Sequence, residues 1–154
     1  MNRIFILIFL FFSNAGVFAQ ADNPKYDKAL ADSLGADDFG MKAYMFVILK
    51  TGTNKIDDKA KSDSLFTGHL KNIGRLADLG KLIIAGPFGK NDKSYRGLFI
   101  LNVKTIDEAN DLLSSDPAIR EKLLEPEIIP WYGSAALPLY LNSQDKVEKK
   151  KIID

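Results

Sequence analysis

The sequence predicts an α+β domain with the ferredoxin-like βαββαβ order and a four-stranded antiparallel sheet. Four segments rich in aromatic and β-branched residues are interspersed with two segments whose apolar residues recur every three or four positions. The resulting order, strand–helix–strand–strand–helix–strand, is the split βαβ arrangement. The first strand is apolar on both faces, so both faces of the sheet require a covering layer.

Each predicted strand ends near turn-forming residues. The first strand, AYMFVILK, places Met45 and Val47 on one face and Tyr44 and Phe46 on the other. A domain of this size has few helices to cover both faces, so we expect one face to meet the sheet of a second copy. The four predicted strands cover residues 43–50, 81–88, 95–103 and 127–132.

Two amphipathic helices are predicted on the same face of the sheet. The first ends at Gly80, and the second begins at Thr105, where Glu108 gives the spacing of a capping box. Asp116-Pro117 begins a further short helix. The residues predicted to point inward are Leu65, Phe66, Leu70, Ile73, Leu76, Ala77, Ala109, Leu112 and Leu113.

The first nineteen residues have the order of a secretory signal peptide. Arg3 supplies a positive charge, residues 4–12 are apolar, and Val17-Phe18-Ala19 forms a cleavage site. A membrane-spanning helix needs about 20 apolar residues, roughly twice this run. We therefore expect an exported protein, periplasmic or secreted, with no membrane attachment after cleavage.

Three further segments follow this leader. Residues 20–42 form an N-terminal extension with a short helix over 24–34 that stops at Gly35. Residues 43–141 form the domain, and 142–154 form a polar, Lys-rich tail that is expected to be solvated or frayed. The paired acids at 37–38 and 57–58 are interpreted as solvated loop charges.

Composition and motifs exclude several classes of function. Twenty-one Lys+Arg balance twenty Asp+Glu among 154 residues, which leaves no electrostatic footprint for nucleic acid. The chain has no cysteine and a single histidine. Phosphate-loop, dinucleotide-binding and calcium-loop motifs do not occur. We therefore expect neither a cofactor nor a metal.

His69 is the first candidate for chemistry. It lies four residues after Leu65 and four before Ile73, on the apolar face of the first core helix. A lone histidine on such a face is more often a satisfied core residue than a catalytic one. The alternative is a general acid or base, because imidazole has a pKa of about 6.5.

Asp116 is the best candidate for a carboxylate that orients His69. It follows the second helix, and both helices are expected on one sheet face. Asp before Pro is equally typical of a helix N-cap. A carboxylate has two oxygens, so Asp116 can serve both purposes.

Three more side chains are predicted to bind substrate. Arg96 stands among apolar residues of the third strand, where it holds an anionic group or simply lies at the sheet edge. Trp131 and Tyr132 either wall a pocket or belong to a dimer core, which is the commoner role of strand aromatics.

Together these residues resemble the YCII-related (YciI-like) family of the dimeric α+β barrel superfamily. The matching stretches span residues 43–133 and read FVILKTG, GHLKNIGRLADLGKLIIAGPF, YRGLFILNVKTIDEANDLLSSDPAI and EIIPWYG. The resemblance implies a homodimer that pairs sheet to sheet and an active site with a His–Asp pair at His69 and Asp116. One branch of the family is similar to enzymes that eliminate chloride from chlorinated aromatics, which is a precedent for lyase chemistry.

The sequence thus leads to three hypotheses about function. The first is a cofactor-independent lyase or isomerase in which His69 moves a proton, Asp116 fixes its tautomer and Arg96 anchors a small anionic or phenolic substrate. The second is a non-catalytic dimeric module that binds a small ligand. The third is a structural protein that docks another chain through its helices or tail.

Overall fold

The computed structural model describes residues 23–150. Their strands and helices follow the predicted βαββαβ order, with short helices added at both ends. The strands are β1 (Met41–Thr51), β2 (Leu82–Pro87), β3 (Tyr95–Leu101) and β4 (Leu124–Ser134). The helices are α1 (Lys28–Leu34), α2 (Lys59–Asp78), α3 (Ile106–Ser114), α4 (Pro117–Arg120) and α5 (Leu141–Val147), and a 3₁₀ helix covers Leu137–Tyr140.

The four strands form one antiparallel sheet in the order β2-β3-β1-β4. This confirms the predicted α+β, ferredoxin-like class. Strand β1 is central and pairs with β4 along its whole length, from Met41 opposite Ser134 to Thr51 opposite Leu124. Because β1 and β4 are the first and last strands of the described residues, their pairing joins the two ends of the domain.

Helices α2 and α3 bury the main hydrophobic core against one face of the sheet. Alternate residues of β1 enter this core, as the period of two in the sequence predicts. Leu76 of α2 and Leu113 of α3 meet them from the helix side. The buried members of this core are Met45, Val47, Leu49, Leu76, Leu82, Phe99, Leu101, Val103, Ala109, Leu113, Ala118 and Leu124.

The opposite side of the sheet, which we call the open face, carries a second and smaller apolar cluster. Tyr44, Ile83 and Ile100 are buried there, and Leu137 and Leu141 pack against them. The first residues of the segment 142–154, which was predicted to be solvated or frayed, are exposed and continue helix α5. The physical reason is that Leu137 and Leu141 are four residues apart, so both reach the same apolar surface.

The helix boundaries follow the predicted signals. Thr105 and Glu108 form the capping box of α3, and Asp116 caps α4 with Pro117 in its first turn. Gly35 ends α1 in the left-handed conformation, with φ of 68°. Helix α1 starts at Lys28 rather than at residue 24, because Asp27 provides the N-cap.

The bounds of all four strands differ from the prediction. Strand β1 extends further at both ends, and β2 is one residue shorter at each end. Strand β3 ends at Leu101, and β4 is longer than predicted at both ends. The pairing of β2 with β3 shifts between Leu82 and Ile84, so Ile83 and Ile84 both pack on the open face while Leu82 enters the main core. Within residues 23–150 no helix is long and apolar enough to span a membrane. The predicted signal peptide lies outside the described residues.

Candidate active site

Asp116 uses its two oxygens for two different purposes. Its Oδ1 accepts hydrogen bonds from the backbone N–H groups of Ala118 (2.9 Å) and Ile119 (3.3 Å), which caps α4. Its Oδ2 lies 2.7 Å from Nδ1 of His69. The helix cap and the histidine partner, which the sequence left as alternatives, are therefore both present in one carboxylate.

His69 lies on the inner face of α2, where its ring is held by aromatic neighbours. The imidazole stacks on Phe99 at 5.9 Å between centroids and meets Phe66 edge to face at 6.3 Å. About 10% of its side chain remains accessible, against 1% for Asp116. The pair is thus almost completely buried, and a small part of the imidazole remains exposed to solvent.

A glycine brings the two residues into contact. Gly68 precedes His69, and a Cβ placed on it would lie 2.7 Å from Cγ of Pro117. Any larger residue would therefore push α4 away from α2. The close approach of these helices at Gly68 is what lets the Asp116 carboxylate reach the imidazole.

The surroundings of Asp116 favour its charged form. Burial acts to raise the pKa of Asp116. The hydrogen bond from His69 and the charge of His69 lower it, as do the N–H of Ile119 and the amide of Asn72. These contacts outweigh burial, so the pKa lies below its ordinary value. An ionised carboxylate has no proton to donate, so His69 donates through Nδ1. Neutral His69 then carries its free lone pair on Nε2.

Behind this pair lies a polar cluster that the sequence did not reveal. The Nδ2 of Asn72 donates to Oδ2 of Asp116 at 3.4 Å, and Arg75 donates to Oδ1 of Asn72 through Nε (3.2 Å) and Nη2 (2.8 Å). Arg75 also donates to Oγ of Ser115. Asn72 and Arg75 follow His69 at intervals of three residues, which is the only sequence signal for this cluster.

Two of the three predicted substrate-binding residues lie away from His69 within one chain. Arg96 is exposed and pairs opposite Phe88 on the open face, and Trp131 lies on that face against Tyr44, with ring centroids 5.8 Å apart. The period of two explains this placement, because Phe99, which stacks on His69, belongs to the other face of β3. A single chain therefore does not join Arg96 or Trp131 to the His–Asp pair.

Tyr132 lies on the helix side of β4, where its hydroxyl donates to Asp37. This hydrogen bond lowers the pKa of Asp37 and raises that of Tyr132. Asp37 also accepts from the backbone N–H groups of Phe39 and Met41. Asp37 is exposed, in keeping with its interpretation as a solvated loop charge, and it also connects the N-terminal extension to β4.

Two of the surface cavities in the described part of the chain lie away from the pair, since neither is lined by His69 or Asp116. One, of about 370 Å³, lies at the β2–β3 loop beside Arg96. The other, of about 720 Å³, lies between α2, the edge of β2 and α5. Among residues 23–150 no group of three or more His, Asp or Glu residues is arranged to hold a metal ion.

Comparisons with known proteins find similar chains among solved structures. No protein-family model matches the chain, and no curated protein matches it either. Among solved structures it is similar to 5-chloro-2-hydroxyhydroquinone dehydrochlorinase (TftG) from Burkholderia phenoliruptrix AC1100, in complex with 2,5-dihydroxybenzoquinone. The two are 20% identical over 56% of this chain and 92% of that chain, with a TM-score of 0.41. The fold assignment therefore rests on this chain's own strand order.

Chemically, the arrangement is suited to proton transfer. A histidine whose Nδ1–H is held by a charged carboxylate presents Nε2 as a base of fixed tautomer, and the same carboxylate stabilises the imidazolium that forms. The low water content around the pair strengthens this interaction. A core histidine that merely fills space needs no such ionised partner.

Proposed function

We propose that the protein is a small-molecule enzyme of the YCII-related type that moves a proton with His69. His69 acts as the general acid or base, and Asp116 fixes its tautomer and stabilises its charged form. The reaction is proton abstraction followed by elimination or isomerisation, on a small anionic or phenolic substrate. The single observation that carries this proposal is the buried 2.7 Å hydrogen bond between Nδ1 of His69 and Oδ2 of Asp116.

Two features of the pair support a catalytic role over a purely structural one. The buried pair contributes little net stability, because the cost of removing the charged carboxylate from water offsets its attraction to the imidazole. The α4 cap also needs only Oδ1 of Asp116, so the bond from Oδ2 to His69 is additional to the requirements of the fold.

The proposal includes a homodimer formed through the open face. The C-terminal helix covers the part of this face around Tyr44, Ile83 and Ile100. Ile129 and Trp131 on the same face remain 39% and 37% exposed. Exposed apolar groups that adjoin a buried cluster are suited to an interface. A second copy that packs its own open face there would bury them and form the dimeric α+β barrel.

We further propose that the protein is exported and acts in the periplasm or outside the cell. The support is the signal-peptide pattern of residues 1–19. Mass spectrometry of the protein isolated from its native host tests this proposal, with an N-terminus at Gln20 as the expected result. A protein that retains its first nineteen residues in the cytoplasm would contradict it.

The experiment that tests the activity uses small phenols and carboxylic acids in D₂O. Proton abstraction by wild-type protein exchanges a carbon-bound proton for deuterium or eliminates a leaving group, and ¹H NMR detects both. We expect His69→Ala to reduce the rate by about 10²–10⁴-fold, the usual contribution of a general base. Lys71→Ala, an exposed change on the same helix, is the control and should retain the full rate.

Two results would contradict the enzymatic proposal. One is that no compound of the panel is turned over by wild-type protein. The other is that His69→Ala, with an unchanged melting temperature, turns compounds over as fast as wild type does.

The 720 Å³ cavity favours one alternative, a non-catalytic module that binds a small ligand. Its volume lies within the range of about 300–1,000 Å³ typical of ligand sites, and it mixes apolar residues such as Ile73 with charged ones such as Asp145. Ligand-detected NMR with the same panel distinguishes the two functions. Binding that is lost in Ile73→Trp but kept in His69→Ala, without turnover, would favour the alternative.

A further inference from the structure

We infer that Asn72 and Arg75 are positioning residues: Arg75 fixes the orientation of the Asn72 amide, and Asn72 holds Asp116 in the orientation that gives His69 its Nδ1–H tautomer. Only the kinetic consequence of this inference rests on the proposed function. The tautomer itself can be measured without any substrate.

The first step is the orientation of the Asn72 amide. Two nitrogens of the Arg75 guanidinium point at one oxygen, Asn72 Oδ1, at 3.2 and 2.8 Å. A guanidinium only donates hydrogen bonds. Rotating the amide by 180° would put the NH₂ group of Asn72 against these donors, so Arg75 excludes that orientation. The NH₂ group must then face Asp116.

The second step is the orientation of the Asp116 carboxylate. The backbone N–H groups of α4 hold Oδ1 of Asp116, which leaves the rotation of the carboxylate to be set by the donors at Oδ2. Those donors are His69 at 2.7 Å and Asn72 at 3.4 Å. The longer bond contributes little attraction, but it places a second donor beside Oδ2. Asn72 thereby restricts the carboxylate to the plane in which it meets the imidazole.

The third step is the burial of the Asn72, Asp116 and Arg75 side chains. Asn72 and Asp116 are buried, whereas Arg75 is exposed. Ser115, the residue before Asp116, accepts a hydrogen bond from the same Nη2 of Arg75 at 2.8 Å. Arg75 therefore connects α2 to the turn that carries Asp116 in two ways. One contact is direct, to Ser115, and the other runs through Asn72.

The tautomer of His69 provides a direct test. His69 is the single histidine, so its two ring nitrogens give unambiguous signals in a long-range ¹H–¹⁵N spectrum of the labelled protein without a histidine tag. We expect the neutral imidazole of wild-type protein to show protonated Nδ1 and unprotonated Nε2. Asn72→Ala should move the two ¹⁵N shifts toward each other, because both tautomers become populated. Arg75→Ala should do the same to a smaller extent, and Lys71→Ala should do nothing.

A double-variant cycle separates positioning from a general loss of structure. If Asn72 acts through Asp116, the shift caused by Asn72→Ala disappears when the change is made in Asp116→Asn. A shift of equal size in both backgrounds, or no shift in Asn72→Ala, would overturn the inference. Asn72→Leu, which keeps about the same size and removes the donor without adding a charge, repeats the test should the alanine variant fail to fold.

Activity then distinguishes this inference from the proposed function. With a substrate in hand, Asn72→Ala should lower kcat by up to about 100-fold with KM nearly unchanged, the loss expected for a reactive group displaced by about 1 Å. Turnover that needs His69 but ignores Asn72 overturns the inference alone. A tautomer that depends on Asn72 in a protein without turnover overturns the proposed function alone.

Discussion

Gly68 and Pro117 are in such close contact that no side chain fits between them. A methyl group on Gly68 would lie 2.7 Å from Cγ of Pro117, so α2 and α4 approach most closely beside His69. Glycine in a helix interior costs about 1 kcal/mol relative to alanine. At position 68 this cost is offset by the contact between the two helices.

Gly68→Ala is expected to destabilise the protein although alanine favours a helix. The added methyl group must displace α4, at a cost of about 1–3 kcal/mol, and it should lengthen the bond between His69 and Asp116. Gly74→Ala on the same helix is the control, because nothing lies within 4 Å of its Cβ, and it should stabilise by about 0.5–1 kcal/mol. Urea unfolding measures both, and equal stabilisation by the two changes would show that α4 does not press on Gly68.

Asp116 should make the stability of the protein depend on acid pH. Its pKa is lower in the folded chain than its ordinary value of 3.8, so near that pH the unfolded chain binds more protons. The free energy of unfolding therefore rises with pH through this region, and the contribution of Asp116 is lost as pH falls through its folded pKa.

Asp116→Asn should flatten this dependence, as measured by urea unfolding between about pH 5 and pH 3. The charge-matched control is Asp111→Asn, an exposed carboxylate on α3. If the free energy of unfolding of Asp116→Asn changed with pH as steeply as that of wild type, the pair with His69 would not hold the carboxylate charged.

The proposed dimer predicts the effect of a charge on the open face. Ile129 pairs opposite Phe46 and is 39% exposed. Ile129→Lys should shift sedimentation at micromolar concentration from dimer to monomer while the monomer stays folded, because a lysine ammonium cannot be buried between two apolar sheets. Phe39→Lys, at a 73% exposed residue outside the sheet, should leave the dimer intact. A wild-type protein that sediments as a monomer would refute the dimer.

Helix α5 is expected to stabilise the sheet. Leu141→Asp should lower the free energy of unfolding by about 1–3 kcal/mol, because it removes an apolar contact with the cluster of Tyr44, Ile83 and Ile100. Val147→Asp on the same helix, where the side chain is 79% exposed, should change it by less than about 0.5 kcal/mol. Thermal and urea unfolding provide the comparison, and equal effects would mean that α5 does not pack on the sheet in solution.

Local signals predicted most of the fold. The capping box at Thr105 and the Asp-Pro start of α4 depend on neighbouring residues, and both are present as predicted. The two-sided first strand likewise follows from a period of two. Helix α5 was missed because a segment of seven mostly polar residues is helical only through the contact of Leu141 with the sheet.

The candidate site was predictable in part for the same reason. Helical periodicity placed His69 on the inner face of α2, and the chain order placed Asp116 over the same face of the sheet. The link from Asp116 to Asn72 and Arg75 depends on how α2 and α4 are rotated against each other, which periodicity does not determine. Arg96 and Trp131 were assigned by residue type, and their positions along the strands turn them to the open face.

The pairing of β1 with β4 also determines when the sheet can be completed during folding. Loop closure over some ninety residues, from Met41 to Ser134, must precede the ladder between β1 and the edge strand β4. Until β4 has been synthesised, β1 can pair only with β3, and its other edge remains unpaired. The nascent chain therefore exposes an apolar strand edge, a known template for aggregation, until almost the last residue of the domain has emerged.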